Sequence, residues 1–170
     1  MTPVLIAGIG NIFNGDDGFG VAVAAELQRR APPPELRVVD FGIRGIDLAY
    51  ALTAGCEAAI LVDCMARGGA PGTLYVMEPT LPPADCGAAD QTALSPHAME
   101  PHNVLRVAAL LGAVPARLLL VGCEPLRLDA DDTGEIGLSP PVAASVAPAA
   151  DAVLRLAREL LQQCAIEEVK

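Results

Sequence analysis

Two adjacent acids stand inside a glycine-rich loop near the N-terminus, in "GIGNIFNGDDGFG" from Gly8 to Gly20. A phosphate cradle needs backbone N–H groups and positive potential, whereas Asp16 and Asp17 supply two carboxylates. Gly8-x-Gly10 matches the start of the dinucleotide fingerprint, but Phe13 stands at the third glycine position. The glycine is missing and the charge has the wrong sign, so no nucleotide cofactor is expected. Further along, Asp40 ends the apolar run "LRVVD" and Asp63 ends "AAILVD". His97 and His102, the chain's two histidines, both lie within "SPHAMEPH". Two carboxylates and an imidazole suit a borderline divalent cation. Three protein ligands leave positions open for water or a substrate atom.

Each residue also has a plainer use. An Asp at a helix start caps it and complements the macrodipole, which explains one acid of the 16–17 pair more easily than two. Asp40 and Asp63 could each cap the helix after their strand. For Asp63 the functional reading is preferred, because a carboxylate straight after a buried strand is costly unless a cation or hydrogen bonds compensate. His97 alone could be a loop residue bonded to backbone, and His102 reads as a surface helix residue. Gly10 and Gly18 are expected to serve positive φ or close backbone approach.

The elements that must position these groups follow from pattern. "PVLIAG" is a short apolar run with strand length and flanks. Phe19, Val23 and Leu27, with Gly20 and Ala24, make one face of a helix, which "APPPE" stops. "LRVVD" is a second strand, "GIDLAYAL" a short helix, "AAILVD" a third strand and "TLYVM" a fourth. The third and fourth strands are too close in sequence for a parallel crossover, so they are expected to pair antiparallel. Residues 78–96 read as a long surface loop. A helix begins near Pro101 with Val104, Ala108 and Leu111 on one side. "RLLLVG" is a fifth strand, residues 124–137 a second acidic loop. Ser139 and Pro140 open a last helix running to about Gln163, with Pro148 a possible kink. Strand–helix alternation predicts a three-layer α/β/α domain over residues 1–170 with a twisted, mostly parallel sheet of about five strands. Ligands of such sheets sit beyond the carboxyl ends of the strands, where Asp16, Asp17, Asp40 and Asp63 all fall.

Composition narrows the function. The chain of 170 residues carries a formal charge of −10 with scattered Arg, which disfavours nucleic acid as a partner. No apolar stretch approaches the 18 or so residues of a membrane span, and the opening residues lack a signal peptide's pattern, so a cytoplasmic location without membrane insertion is expected. The five cysteines include no C-x-x-C pair, and reduced thiols are expected rather than a disulfide framework or zinc ribbon.

"GIGNIFNGDDGFGVAV", "VVDFGIRGIDL", "AAILVDCM", "GGAPGTLYVME", "LSPHAME", "LLLVGCEP" and "IGLSPPV" occur in that order along nearly the whole chain. Together they resemble the hydrogenase maturation endopeptidases, which trim the large-subunit precursor of nickel–iron hydrogenases. The resemblance implies three metal ligands: Asp17, the second acid of the opening pair; Asp63, ending the third strand; and His97, after Ser-Pro. Asp17 and Asp63 would also be the catalytic candidates, with Asp16 and Asp40 secondary. It implies further that nickel is supplied by the precursor and that a C-terminal tail is released by hydrolysis. Some members carry Glu at the Asp17 position, "DFGIRG" stands where others have a Gly-Gly turn, and the family does not require His102. Three other readings of the same residues are a Cys–His peptidase using Cys64, a non-catalytic nickel chaperone, and a self-contained zinc peptidase.

Overall fold

The computed structural model describes residues 4–79, 101–112, 114–128, 134 and 136–167. Five strands, β1 (Val4–Ile9), β2 (Leu36–Gly42), β3 (Ala58–Cys64), β4 (Leu74–Met77) and β5 (Arg117–Cys123), form one sheet in the order β2-β1-β3-β5-β4. Four helices accompany them: α1 (Phe19–Arg29), α2 (Gly45–Thr53), α3 (Pro101–Leu111) and α4 (Pro140–Glu167). A 3-10 turn, Gly15–Gly18, joins β1 to α1.

β1 and β3 read as unbroken apolar runs because both faces of the sheet are covered. Their side chains alternate between two cores. Val4, Ile6, Ile60 and Val62 pack with Phe19, Val23 and Leu27 of α1 and with Val142 and Val153 of α4. Leu5, Ala7, Ala59 and Leu61 pack with Leu48 and Leu52 of α2 and with Val104 and Leu105 of α3. The three-layer expectation thus holds in detail, with α1 and α4 on one face and α2 and α3 on the other.

β1 pairs in parallel with both β2 and β3, and β3 pairs in parallel with β5. The chain moves from β1 outward to β2 through α1, then back past β1 to β3 through α2. The order therefore reverses between β1 and β3, the switch point where open α/β sheets place their ligands.

Three expectations need correction. β4 does run antiparallel, but it pairs with β5, not β3. The crossover through α3 returns β5 beside β3, and the 65–73 connection steps over it. On α3 the buried side chains are Val104, Leu105 and Ala108, while Leu111 is exposed. β2 continues two residues past Asp40, to Gly42. No helix among the described residues is long and apolar enough to cross a membrane.

Candidate functional site

The loop after β1 is closed by its own backbone. Asn11 Oδ1 accepts the Phe13 N–H at 3.0 Å, an Asx turn, and the N–H groups of Asn14 and Asp17 donate to the carbonyls of Asn11 and Asn14. Gly10 N–H donates to the Gly42 carbonyl at 3.0 Å, tying this loop to the end of β2. Two glycines let the turn settle on the sheet. Gly10 has φ +131°, and a Cβ there would lie 1.8 Å from the Asp17 carbonyl oxygen. A Cβ on Gly20 would lie 2.1 Å from the Val62 carbonyl oxygen and 2.3 Å from that of Ile9. The start of α1 is therefore pressed against β1 and β3 at the switch point. Gly18 departs from expectation: its φ is −73°, and an added Cβ would approach Ile12 Cα at 3.3 Å, a contact that a small shift relieves.

The structure gives the two acids of the opening pair different surroundings. Asp16 is 2% exposed and accepts hydrogen bonds from Ser139 N–H (2.7 Å), Ser139 Oγ–H (2.8 Å), Leu126 N–H (2.9 Å) and Arg127 N–H (3.3 Å). Burial by itself raises its pKa, but these donors together outweigh it and hold the carboxyl below the usual range. Asp17 is half-buried, and its Oδ2 accepts one hydrogen bond, from Asn11 N–H at 2.9 Å. Burial pushes its pKa up, and the Asn11 bond offsets only part of this. No Lys or Arg side chain pairs with Asp17 among the described residues. Asp63, on the last turn of the pleat in β3, is 7% exposed, and its Oδ1 accepts the Cys64 N–H at 2.8 Å.

The Cys64 thiol shows that these acids converge. Burial first, then the negative charges of Asp63, Cys123, Asp17 and Asp16, drive its pKa far above the ordinary thiol value. Carboxylates remote in sequence thus act electrostatically on one thiol. The same environment suppresses thiolate, the nucleophilic form, and Cys64 belongs to the core cluster on the α1/α4 face. A Cys–His peptidase built on Cys64 is disfavoured on both grounds.

Asp40 lies at the same edge but on β2, paired with Gly8 of β1, and its carbonyl takes a hydrogen bond from the Arg44 guanidinium. It is thus two strands away from Asp63 and not among the charges acting on Cys64. His102 is an exposed residue of α3, as expected. His97 lies outside the described residues, as do Cys86 and most of the loop expected at 78–96. Among the described residues no group of three His, Cys, Asp or Glu side chains is arranged to hold a metal ion.

Sequence reasoning missed Glu124. It is 5% exposed and directly follows β5, so the strand-end rule that selected Asp63 also selects it. Its carboxylate accepts hydrogen bonds from Arg67 N–H (2.8 Å), Gly68 N–H (3.0 Å) and Tyr75 O–H (2.8 Å). Burial opposes ionisation here too, but the donors prevail and the pKa is lowered.

These shifts fix the sign of an acid response. Asp16 and Glu124 have depressed pKa values in the fold, so their stabilisation is present above the ordinary carboxylate range and is lost as pH falls through their folded values. Asp17 acts oppositely, its burial cost being relieved on protonation. Glu26, held by Arg29 and Arg30, is also lowered; with three opposed by one, thermal scans are expected to show Tm falling below about pH 4, and falling less in Glu124→Gln, which starts lower and has less to lose.

A family model described as hydrogenase maturation protease matches residues 21–156. The hydrogenase 2 maturation protease of Escherichia coli is 31% identical over 158 residues, spanning 92% of this chain and 91% of its own length. The hydrogenase expression/formation protein HupD of Bradyrhizobium diazoefficiens is 35% identical over 157 residues, 92% of this chain and 78% of its own. Among solved structures, the Escherichia coli hydrogenase maturating endopeptidase HybD superposes with a TM-score of 0.69 at 27% identity, covering 93% of both chains.

Proposed function

The chain belongs to the hydrogenase maturation protease family and is a peptidase; from that premise we propose that its substrate is the large-subunit precursor of a nickel–iron hydrogenase, from which it removes a C-terminal extension after nickel insertion. One observation carries the reading. Asp17 and Asp63 follow the adjacent strands β1 and β3 and both act electrostatically on the Cys64 thiol, and Asp17 has its pKa raised by burial with no Lys or Arg beside it among the described residues. Gathered, partly desolvated negative charge is costly until a cation arrives.

In this proposal the cation is nickel already held by the precursor's own thiolates. Asp17, Asp63 and His97 complete its coordination, which sets the peptide bond near the substrate's C-terminus against the site. Oxygen and imidazole donors without thiolate hold a free first-row cation weakly, so the enzyme stays idle until a loaded client docks. Nickel so placed can polarise the scissile carbonyl or acidify a water, and a carboxylate oxygen of Asp17 or Asp63 can receive the water's proton. The reaction then adds water across one amide bond and releases a short tail. Free Cys56, Cys64, Cys123 and Cys164 fit the reducing cytoplasm, where we place the reaction.

The test is incubation with the large-subunit precursor in nickel-loaded and nickel-free forms, read by intact mass. Loss of a C-terminal peptide from the loaded form alone supports the proposal. Equal cleavage of the nickel-free form marks a self-contained metallopeptidase, and nickel transfer without mass loss marks a chaperone. In the same assay Cys64→Ala is expected to cleave within about threefold of the parent rate, as is iodoacetamide-treated enzyme, because a protonated buried thiol is inert.

A further inference from the structure

The described residues contain two nearly inaccessible carboxylates outside the proposed ligand set, Asp16 and Glu124, and both are engaged by the short segment that follows β5. We infer that Asp16 and Glu124 are positioning residues acting as one brace, through which the 124–127 segment sets the spacing of Asp17 and Asp63. This deepens the proposed function and rests on it.

The brace can be traced bond by bond. At one end, Asp16 receives the N–H groups of Leu126 and Arg127 and both donors of Ser139. Ser139 directly precedes α4, so Asp16 ties the residue before that helix to the opening turn. The expected cap residue, Ser139, gives its hydroxyl to Asp16 instead. A carboxylate has about four lone-pair sites, so four donors leave it little capacity for a metal. At the other end, Glu124 receives Arg67 N–H, Gly68 N–H and the Tyr75 hydroxyl. Its backbone closes the same loop: Glu124 N–H donates to the Thr73 carbonyl at 2.8 Å, and Gly72 N–H donates to the Glu124 carbonyl at 2.8 Å. Just before this, Met65 N–H donates to the Cys123 carbonyl at 2.8 Å.

One clamp therefore grips the residue beside Asp17, and the other grips the loop that leaves β3 after Asp63. Only Pro125 separates Glu124 from the first backbone donor to Asp16. A fixed φ at that residue stiffens the link. Two groups that must share one ion depend on separation at the ångström scale, and a misplacement of about 1 Å can cost about a hundredfold in rate. The first acid of the pair thus holds the second in place, which explains why a turn carries both.

The experiment measures steady-state processing of nickel-loaded precursor by the full chain. Folded Asp16→Asn is expected to lose about 10- to 100-fold in kcat with KM changed less than about threefold. Glu124→Gln should lose less, since Glu124 grips the loop after β3 through three donors, whereas Asp16 adjoins Asp17 itself and takes four. The double variant should lose less than the product of the two single losses, because either change releases the same brace. A merely structural role would lower Tm and the active fraction without this kcat-against-KM split or this coupling. Parental kcat in folded Asp16→Asn, or losses that simply multiply, would overturn the brace. Should Asp16→Asn fail to fold, Ser139→Ala removes one of the four donors: a kcat several-fold lower at unchanged KM supports the brace, and parental kcat overturns it. Asp17→Asn run alongside separates the two ideas. If it is inactive while Asp16→Asn is normal, the brace alone fails; if it is active, the site reading fails with it.

Discussion

Asp63→Asn is expected to yield a folded protein that no longer shortens the precursor, with processing down by about a thousandfold or more. The side chain keeps its shape, and its carbonyl oxygen can still accept the Cys64 N–H that Asp63 Oδ1 takes at 2.8 Å. What disappears is one negative charge at the end of β3. Transition-state stabilisation by a correctly held metal amounts to several kcal/mol, and each 1.4 kcal/mol or so is tenfold in rate. Stability should not fall in step. Asp63 acts on the Cys64 thiol in the same sense as Asp16 and Asp17, so removing its charge relieves repulsion and Tm is expected to hold or rise slightly. Circular dichroism melts beside a processing time course read both quantities. Asp17→Asn should behave alike, since burial already disfavours its charged form.

Gly10→Ala is the second large effect, and it strikes fold and site together. A side chain there meets a φ of +131° and a contact of 1.8 Å with the Asp17 carbonyl oxygen. Backbone strain in that region costs about 1–3 kcal/mol, and overpacking about 1–3 kcal/mol more, against a total stability of about 5–15 kcal/mol. The only relief is to move the peptide of Asp17, so processing should fall even in molecules that remain folded. Gly18→Ala is the matched control: with φ −73° and a nearest approach of 3.3 Å, it should cost under about 1 kcal/mol. Urea titrations of the two variants test the contrast, and equal midpoints would refute the packing argument.

The legible parts of the sequence were those where burial imposes a pattern. Phe19, Val23 and Leu27 recur at helical spacing because α1 packs one stripe on the sheet, and all three are fully buried. β1 and β3 were readable as apolar runs because helices cover both their faces. The antiparallel direction of β4 followed from the short connection before it, but its partner did not. That depends on where β5 arrives, and the decision lies in the α3 crossover many residues later. Leu111 illustrates the limit of periodicity, since Leu105 fills the same core from a neighbouring position and leaves Leu111 in solvent.

For the site, strand-end placement picked out Asp63 and the 16–17 pair because topology forces those positions to one edge. It also picked Asp40, which reaches the same edge on β2, the strand on the other side of β1 from Asp63. Glu124 went unnoticed because it was read as the first residue of a loop, not as the end of a strand. Its partners, the 67–68 amides and Tyr75, become neighbours only through the β4–β5 pairing that the sequence left unresolved. The partners that hold Asp16 were hidden for the same reason, since Ser139 and Leu126 are more than a hundred residues away from it.

The central claim is that Asp17, Asp63 and His97 share one cation. Anomalous diffraction from crystals soaked in nickel(II) tests it most directly. At millimolar nickel, which offsets the weak affinity for the free ion, a single peak is expected at the β1/β3 switch point, about 2.0–2.2 Å from an oxygen of each carboxylate and from an imidazole nitrogen. A peak elsewhere, or the three side chains directed to separate faces with no common ion, would contradict it.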